Sequence, residues 1–275
     1  MIKDFFKQFI DSKWTKILSA IFAILVIWWI TIFARGLEEG FENDYFTLAY
    51  PILALMGGVA GLVFARKWGG FKSKLGMSIY MFSFGLLAQF FGQLLYSYYI
   101  FILGVEVPYP SLGDASYLAS VVFYIFGSYE LAKVSGIKLS FKSISGKLKS
   151  FGIPLLILVV SYLVLMKDYD FTSATPLLLF FDFGFPIGQA IYVSFAILAL
   201  LISKDILGGM MRKPIMLLIL ALILQFISDF SFSYQFSQGV VYTGDILDLL
   251  YCTSYFLMAI SLFSIGNMFY KVQES

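Results

Sequence analysis

The chain of 275 residues has no histidine and a single cysteine, Cys252. Without histidine it lacks the usual haem, zinc and copper ligand and the commonest general base of enzymes. One cysteine cannot form an intramolecular disulfide or a multi-cysteine metal site. Charged residues make up only 13% of the chain, whereas 60% of residues are hydrophobic and 19% are aromatic. This composition excludes an ordinary soluble domain, and it predicts an integral membrane protein.

Apolar segments long enough to cross a bilayer occur eight times along the chain. Backbone groups in lipid must be hydrogen-bonded within the segment, so each segment is predicted to be a helix. The fold class is therefore predicted to be all-α, a polytopic membrane protein with eight transmembrane helices. The predicted spans are 17–33, 47–65, 75–103, 115–132, 151–166, 176–203, 214–236 and 246–267.

The loops between these segments alternate between basic and acidic sequences. The N-terminus and the loops near 66–74, 133–149 and 204–213 are rich in lysine and arginine, whereas the loops near 38–44, 106, 168–170 and 245 are rich in carboxylates. Basic loops are typical of the cytoplasmic side, so both termini are predicted to be cytoplasmic and the protein to reside in the plasma membrane. Attraction to anionic lipid explains these lysines, and no nucleic-acid partner is expected.

Two halves of the sequence show matching polar positions. Gln89, Gln93 and Tyr98 align with Gln225, Asp229 and Tyr234 at one constant offset. Further matches are Pro51 with Pro186, Asp114 with Asp248, and Tyr117 with Tyr251. An even number of spans per half predicts two parallel four-helix repeats, related by an axis along the membrane normal. The predicted units are residues 1–134 and 151–275, joined by a Ser/Lys/Gly-rich cytoplasmic linker at 135–150.

Carboxylates inside a membrane are costly, so the few that fall in or beside the spans indicate function. Asp182 and Asp229 lie in the outer halves of their spans, and Asp114 and Asp248 begin theirs. Helical periodicity places Gln89, Gln93 and Tyr96 on one face, and Gln225 and Asp229 on another. These faces predict an outward-opening ligand site, rimmed by Tyr98, Tyr117, Tyr234 and Tyr251. The candidate ligand-binding residues are Asp229, Asp182, Gln93, Gln225, Gln89, Asp114, Asp248, Tyr117 and Tyr251.

Structural roles also account for several of these residues. Asp114 and Asp248 occupy positions suited to helix N-caps. Gln89 and Gln225 could hydrogen-bond between helices as packing contacts. Glu130, near the cytoplasmic end of its span, can extend its carboxylate to the interface. Asp229 lies in mid-span with no basic residue in any span to pair with it, so it is the strongest functional candidate.

The stretch Pro108-Tyr-Pro-Ser-Leu-Gly-Asp-Ala-Ser-Tyr-Leu118 resembles the Pro-Ser-x-x-Asp-x-x-Tyr-Leu motif of membrane-embedded sensory regions in bacterial signalling proteins. Phe183-Gly-Phe-Pro186 and Thr243-Gly-Asp-Ile-Leu-Asp248-Leu-Leu-Tyr251 are similar to the same kind of region. Those regions precede diguanylate cyclase, phosphodiesterase or kinase domains. The resemblance implies a stand-alone sensory module that signals through a partner protein.

The sequence therefore predicts a membrane ligand-binding or sensory module with an acidic and aromatic cleft on the extracytoplasmic side. The ligand is expected to be cationic or hydrogen-bond-donating, and a response to pH or divalent cations is a further possibility. Alternatives are a secondary transporter coupled to protons through Asp229, or a non-catalytic subunit of a membrane complex. No complete catalytic or metal-ligating set is present in the sequence, so neither an enzyme nor a cofactor is predicted.

Overall fold

The computed structural model describes residues 12–36, 40–134, 144–167, 169, 171–172, 174–206 and 211–274, with the side chains of 144–151, 201–206 and 270–274 excepted. Residues 1–11, 37–39, 135–143, 168 and 170, which contributed to the predicted charge pattern and linker, lie outside the described residues. Over the described ranges the chain is helical and contains no strand. The predicted all-α class is confirmed for this part of the chain.

Nine α-helices occur within the described ranges. They are α1 (Lys13–Ala34), α2 (Phe41–Ala49), α3 (Ile52–Lys67), α4 (Lys74–Ser97), α5 (Leu112–Val134), α6 (Ile144–Ser161), α7 (Pro176–Ile206), α8 (Arg212–Gln238) and α9 (Ile246–Glu274). A 3₁₀ turn, Gly70–Lys72, precedes α4, and π-helical turns extend α4 to Leu103 and α6 to Met166. The helix α6 begins at Ile144, so the described end of the predicted linker is helical.

Six helical stretches are long and apolar enough to cross a membrane. They are Lys13–Ala34, Phe41–Lys67, Lys74–Leu103, Pro176–Leu200, Arg212–Gln238 and Ile246–Phe269. Six of the eight predicted spans coincide with them. Of the other two, α5 is less apolar because serine, tyrosine and acidic residues interrupt its sequence. The remaining segment, Gly152–Met166, is apolar but shorter.

Six helices form a closed ring in which each packs against the next: α3, α4, α5, α7, α8, α9 and back to α3. Outside this ring, α1 packs against α9 and α6 packs against α7. Tyr50 and Pro51 separate the short helix α2 from α3, because proline cannot donate the next helical hydrogen bond.

Two ends of the ring differ in charge. We define the basic end by the loops near 67–74 and 211–213, and the acidic end by the loops at 40–41, 104–111 and 239–245. At the acidic end the Trp29 indole N–H donates to the carbonyl oxygens of Gly244, at 3.0 Å, and Asp245, at 2.9 Å. Asn43 donates to the carbonyl oxygen of Thr243 at 2.9 Å. These contacts fix the start of α9 against α1 and α2.

Close helix contacts fill the half of the ring nearer the basic end. A Cβ atom at Gly57 would lie 2.6 Å from Cβ of Ala259, and one at Gly266 would lie 2.3 Å from the Phe64 ring. Only glycine permits α3 and α9 to approach this closely. In this half of the ring α3 and α9 are therefore in close contact.

Candidate functional site

A cavity of about 620 Å³ lies inside the ring, toward the acidic end. Its walls come from α4, α5, α7, α8 and α9, from Thr47 and Tyr50 at the end of α2, and from the π-helical end of α6, and its mouth is formed by residues 107–109 and 241–245 of two loops. Val241 and Tyr242 are exposed at this mouth, whereas Tyr255 and Gln89 are buried at its inner end. A volume of several hundred cubic ångströms is typical of sites for small organic molecules.

Most residues predicted for the ligand site line this single cavity. The lining contains Asp229, Asp182, Gln93, Gln89, Asp114, Asp248, Tyr117 and Tyr251. The ninth predicted residue, Gln225, is fully buried behind the wall, where its amide contacts Asp229. The polar faces of α4 and α8 therefore meet at one cavity.

The predicted tyrosine rim is wrong for Tyr98 and Tyr234. Both lie outside the cavity, with 48% and 47% of their surface exposed. Each follows a lining residue, Gln93 or Asp229, by five positions. A side chain five positions later in an α-helix points about 140° away from the first one. It therefore does not lie on the face that lines the cavity. Tyr96, three residues after Gln93, does line the cavity.

Asp229 has three hydrogen-bond donors around its carboxylate. Tyr192 on α7 donates to Oδ2 at 3.0 Å, and Tyr251 on α9 donates to Oδ1 at 3.1 Å. Gln225, one turn earlier on α8, donates its amide N–H to Oδ1 at 3.0 Å. The carboxylate thus joins α7, α8 and α9 at the cavity wall.

Asp114 is the third residue of α5 and does not cap it. Its Oδ2 accepts hydrogen bonds from the Ser111 N–H and the Ser111 hydroxyl, both at 2.7 Å. The Asp114 N–H donates in turn to Ser111 Oγ at 3.3 Å, so the two residues form a reciprocal capping box with Ser111 as the cap. Tyr96 donates from α4 to the other carboxylate oxygen, Oδ1.

Asp248 is likewise the third residue of its helix, α9, and does not cap it. The cap of that helix is Asp245, whose Oδ1 accepts the Leu247 and Asp248 N–H groups at 2.8 and 3.2 Å. Asp248 instead accepts hydrogen bonds from the Gly244 N–H and the Thr47 hydroxyl, each at 2.7 Å, and from the Tyr50 hydroxyl at 2.9 Å. The expected cap positions were therefore displaced by three residues in both helices.

Asp182 lies nearer the mouth, on the first turns of α7. The hydroxyl groups of Tyr109 and Tyr169 donate to its two oxygens at 2.5 and 2.6 Å. Burial and the neighbouring Asp182 carboxylate raise the pKa of the Tyr109 hydroxyl well above its usual value. Tyr109 therefore stays protonated at neutral pH and acts as a donor.

Glutamine side chains form the wall opposite Asp229. Gln93 accepts a hydrogen bond from the Tyr117 hydroxyl at 2.8 Å. Gln89 accepts one from Tyr255 at 2.8 Å and donates to Ser120 Oγ at 2.7 Å. Gln89 thus has the interhelical packing role that was its alternative interpretation, and it also lines the cavity.

Sequence reasoning missed several residues of this site. They are Thr47, Tyr50, Tyr109, Tyr169, Gln189 and Tyr192, all hydrogen-bond partners of the acids or cavity-lining residues. Two signals were available. Pro51 and Pro186 occur at matching positions of two apolar segments, which is typical of membrane binding sites. Gln189 follows Asp182 by seven residues and therefore shares its helix face.

The charge of the cavity wall is of one sign. Five carboxylates, those of Asp114, Asp182, Asp229, Asp245 and Asp248, line it, and in the described part of the chain no lysine or arginine does. The carboxylates are spread out: the described residues contain no group of three or more potential metal ligands. Burial is the main cause, and the nearby Asp248 carboxylate the second, that raises the pKa of Asp245 from 3.8 to about 6.

Glu130 takes no part in this site. At the far end of α5 its carboxylate forms an ion pair with Lys133 at 2.7 Å, which agrees with its structural interpretation.

Comparison with models of protein families, with curated proteins and with solved structures finds no match to this chain.

Proposed function

We propose that this protein is a ligand-binding sensory module of the plasma membrane, whose site faces outward and whose signal passes to a partner protein. The observation that carries the proposal is the cavity itself. Eight of the polar residues predicted from the sequence line one space of about 620 Å³, while α3 and α9 pack closely through glycines in the half of the ring beyond it.

The charge distribution supports the orientation. Arg66 and Lys67 end α3, Lys72 lies between α3 and α4, and Lys74 begins α4, all at the end of the ring remote from the cavity mouth. Basic loops favour the cytoplasmic side of a membrane. The cavity mouth then faces the outside, both termini face the cytoplasm, and α5 and the 152–166 segment complete eight spans.

The order of helices in the ring supports two parallel repeats. The sequence α3, α4, α5 is followed around the ring by α7, α8, α9, and the two contacts between the sets, α5 with α7 and α9 with α3, are equivalent. This arrangement is the one that a two-fold axis along the membrane normal produces.

The resemblance to bacterial sensory regions gains support from the place of its motif. Ser111, Asp114 and Tyr117 are the serine, aspartate and tyrosine of that motif. Ser111 and Asp114 form the capping box of α5, and Tyr117 donates to Gln93 across the cavity wall. The motif therefore lies at the proposed binding site.

A proton-coupled transporter is the second candidate. Prolines at matched positions of two apolar segments are typical of transporter binding sites; here Pro51 lies between α2 and α3, and Pro186 lies inside α7 at the cavity wall. The close glycine contacts in the other half of the ring favour binding without passage.

Thermal unfolding of the purified protein in detergent, screened against water-soluble small molecules, tests the proposed function. A true ligand should raise the melting temperature of the wild type and not that of Asp229→Asn. Glu42→Gln is the matched control, because Glu42 is an exposed acid at the same end, paired with Arg35 and outside the cavity.

Equal stabilisation of the wild type and Asp229→Asn by every hit would contradict a site in this cavity. Proteoliposomes containing the protein then separate the two candidates. Flux of the hit compound, or of protons with it, through wild type but not Asp229→Asn would favour the transporter. Binding without flux is the expected result for the sensory module.

A further inference from the structure

One buried acceptor in the cavity wall has no hydrogen-bond donor. Gln189 on α7 lines the cavity and is only 3% exposed, and its Oε1 atom has no partner. Buried polar atoms in proteins nearly always have partners, because an unpaired one loses its hydration without compensation. Because Gln189 lines the cavity, this unpaired oxygen favours a ligand that supplies a donor, which it reaches by a small rotation of the buried amide toward the cavity.

The neighbours of Gln189 also present acceptors. Tyr192, one helical turn further along α7, uses its hydroxyl hydrogen on Asp229. Tyr109 and Tyr169 use theirs on Asp182, seven residues before Gln189. A carboxylate offers about four lone-pair positions, so Asp182 with two donors and Asp229 with three retain accepting capacity. These three tyrosine hydroxyl groups already donate to carboxylates. This part of the cavity wall therefore presents hydrogen-bond acceptors to a ligand.

Aromatic rings cover much of the remaining surface. Phe181, Phe185, Phe232 and Phe236 line the cavity together with the tyrosines. Aromatic faces attract cations, and they also bury the hydrocarbon part of a ligand. A cavity of this volume is far larger than a hydrated metal ion needs, and the described carboxylates form no metal-binding group.

We propose that the cavity binds a small organic ammonium ion that carries at least one N–H, with the ammonium group between Asp229 and Gln189 and its hydrocarbon body against the phenylalanine rings. This inference rests on the proposed ligand-binding function and names the class of ligand. An N–H is required because Gln189 Oε1 needs a donor. A quaternary ammonium ion, which has none, leaves this oxygen unpaired.

Titration calorimetry at pH 7 with four probes of similar shape tests the ligand class. The probes are 2-phenylethylammonium, its N,N,N-trimethyl derivative, neutral 2-phenylethanol and anionic 3-phenylpropanoate. We expect 2-phenylethylammonium to bind most tightly, and each of the other probes at least about tenfold more weakly. The trimethyl derivative and the alcohol cannot form a charge-assisted hydrogen bond, and the propanoate has the opposite charge.

Variants of Gln189 locate the ammonium group. Gln189→Met keeps the length of the side chain and removes the acceptor, so 2-phenylethylammonium should bind at least about tenfold more weakly. Gln189→Glu supplies a charged acceptor and should retain or strengthen binding. Gln238→Met, an exposed position outside the cavity, is the control and should bind like the wild type. If Gln189→Met does not fold, the comparison of Gln189→Glu with the wild type decides.

Three results overturn the ammonium assignment. The first is binding of the trimethyl derivative, the alcohol or the anion as tight as that of the ammonium ion. The second is wild-type affinity in Gln189→Met or lost affinity in Gln189→Glu, and the third is absence of ammonium binding to the wild type at millimolar concentration. The proposed ligand-binding function survives the first of these if Asp229→Asn abolishes binding of the tighter probe. The proposed ligand-binding function itself fails only if no compound in the broader screen raises the melting temperature of the wild type more than that of Asp229→Asn.

Discussion

Tyr117 donates a hydrogen bond to Gln93 at 2.8 Å, and the residues aligned with them in the second half, Tyr251 and Asp229, form the same bond at 3.1 Å. One helical turn before Gln93, Gln89 hydrogen-bonds with Ser120 at 2.7 Å, and its counterpart Gln225 hydrogen-bonds with Ser254 at 3.0 Å. These matched pairs support the proposed duplication. They also identify the main difference between the two walls: an amide on α4 is replaced by a carboxylate on α8.

Asp229→Asn should leave the protein folded and abolish ligand binding. The amide retains one oxygen that can accept a hydrogen bond from Tyr192 or Tyr251, so the expected loss of stability is that of one hydrogen bond, about 1 kcal/mol. The negative charge that we assign to ligand recognition is removed. Melting temperature and ligand affinity, measured on the same preparation, check the two effects. A variant that binds ligand normally refutes the central role of Asp229.

Ser111→Ala should lower stability and change binding little. Its hydroxyl is the cap of α5, contacting the Asp114 N–H and carboxylate, and such a cap contributes about 1 kcal/mol. Thermal unfolding measures the loss. Asp114→Asn should show a similar loss, because it weakens the same capping box. If Asp114→Asn abolishes binding while Asp229→Asn does not, the roles assigned to the two acids are reversed.

Sequence periodicity located the polar faces of α4 and α8 because those faces are set by residues on one helix. Gln89 and Gln93 are one turn apart, as are Gln225 and Asp229, and no knowledge of the neighbouring helices was needed. The donors to Asp229 were different. Tyr192 comes from another helix, and which of 18 tyrosines reaches the carboxylate depends on how α7 packs against α8.

Helix starts were predicted less well than helix interiors. The cap of α5 is Ser111 and that of α9 is Asp245, three residues before the aspartates chosen from the sequence. Ser-x-x-Asp and Asp-x-x-Asp each contain two residues that can cap, and only the backbone hydrogen bonds distinguish the cap from its partner three residues later.

The stability of the protein should contain a component that falls as pH rises from about 4 to about 6. Burial, followed by the neighbouring Asp248, raises the pKa of Asp245 from 3.8 to about 6, so the folded state holds a proton that the unfolded state has lost. This contribution is fully present below pH 3.8 and is lost as pH passes 6. The pH dependence of thermal unfolding measures it.

Asp245→Asn is the control for that component, because asparagine also caps helices well but does not titrate. The variant should show a flatter stability profile between pH 4 and 6 than the wild type. Identical profiles for the two proteins would exclude Asp245 as the source.

Gly57→Ala should destabilise the protein, whereas Gly184→Ala should not. The added Cβ at Gly57 would lie 2.6 Å from Cβ and 2.9 Å from Cα of Ala259, so α3 and α9 must move apart. Overpacking of this kind typically costs about 1–3 kcal/mol. At Gly184 the nearest atom, on Leu118, is 3.5 Å away, an ordinary contact, and alanine is the better helix former. Unfolding in detergent measures the stability of the two variants. Equal stabilities would contradict the tight packing of α3 against α9.

A cysteine at Glu106 should react with a membrane-impermeant maleimide added to intact cells, and a cysteine at Phe71 should not. Glu106 is exposed in the loop beside the cavity mouth, and Phe71 is exposed in the basic loop between α3 and α4. The native Cys252 is fully buried, and replacing it with alanine removes any background. Permeabilised cells, in which both positions should react, provide the control for accessibility. Labelling of Phe71→Cys in intact cells would reverse the orientation, and with it the outward-facing site.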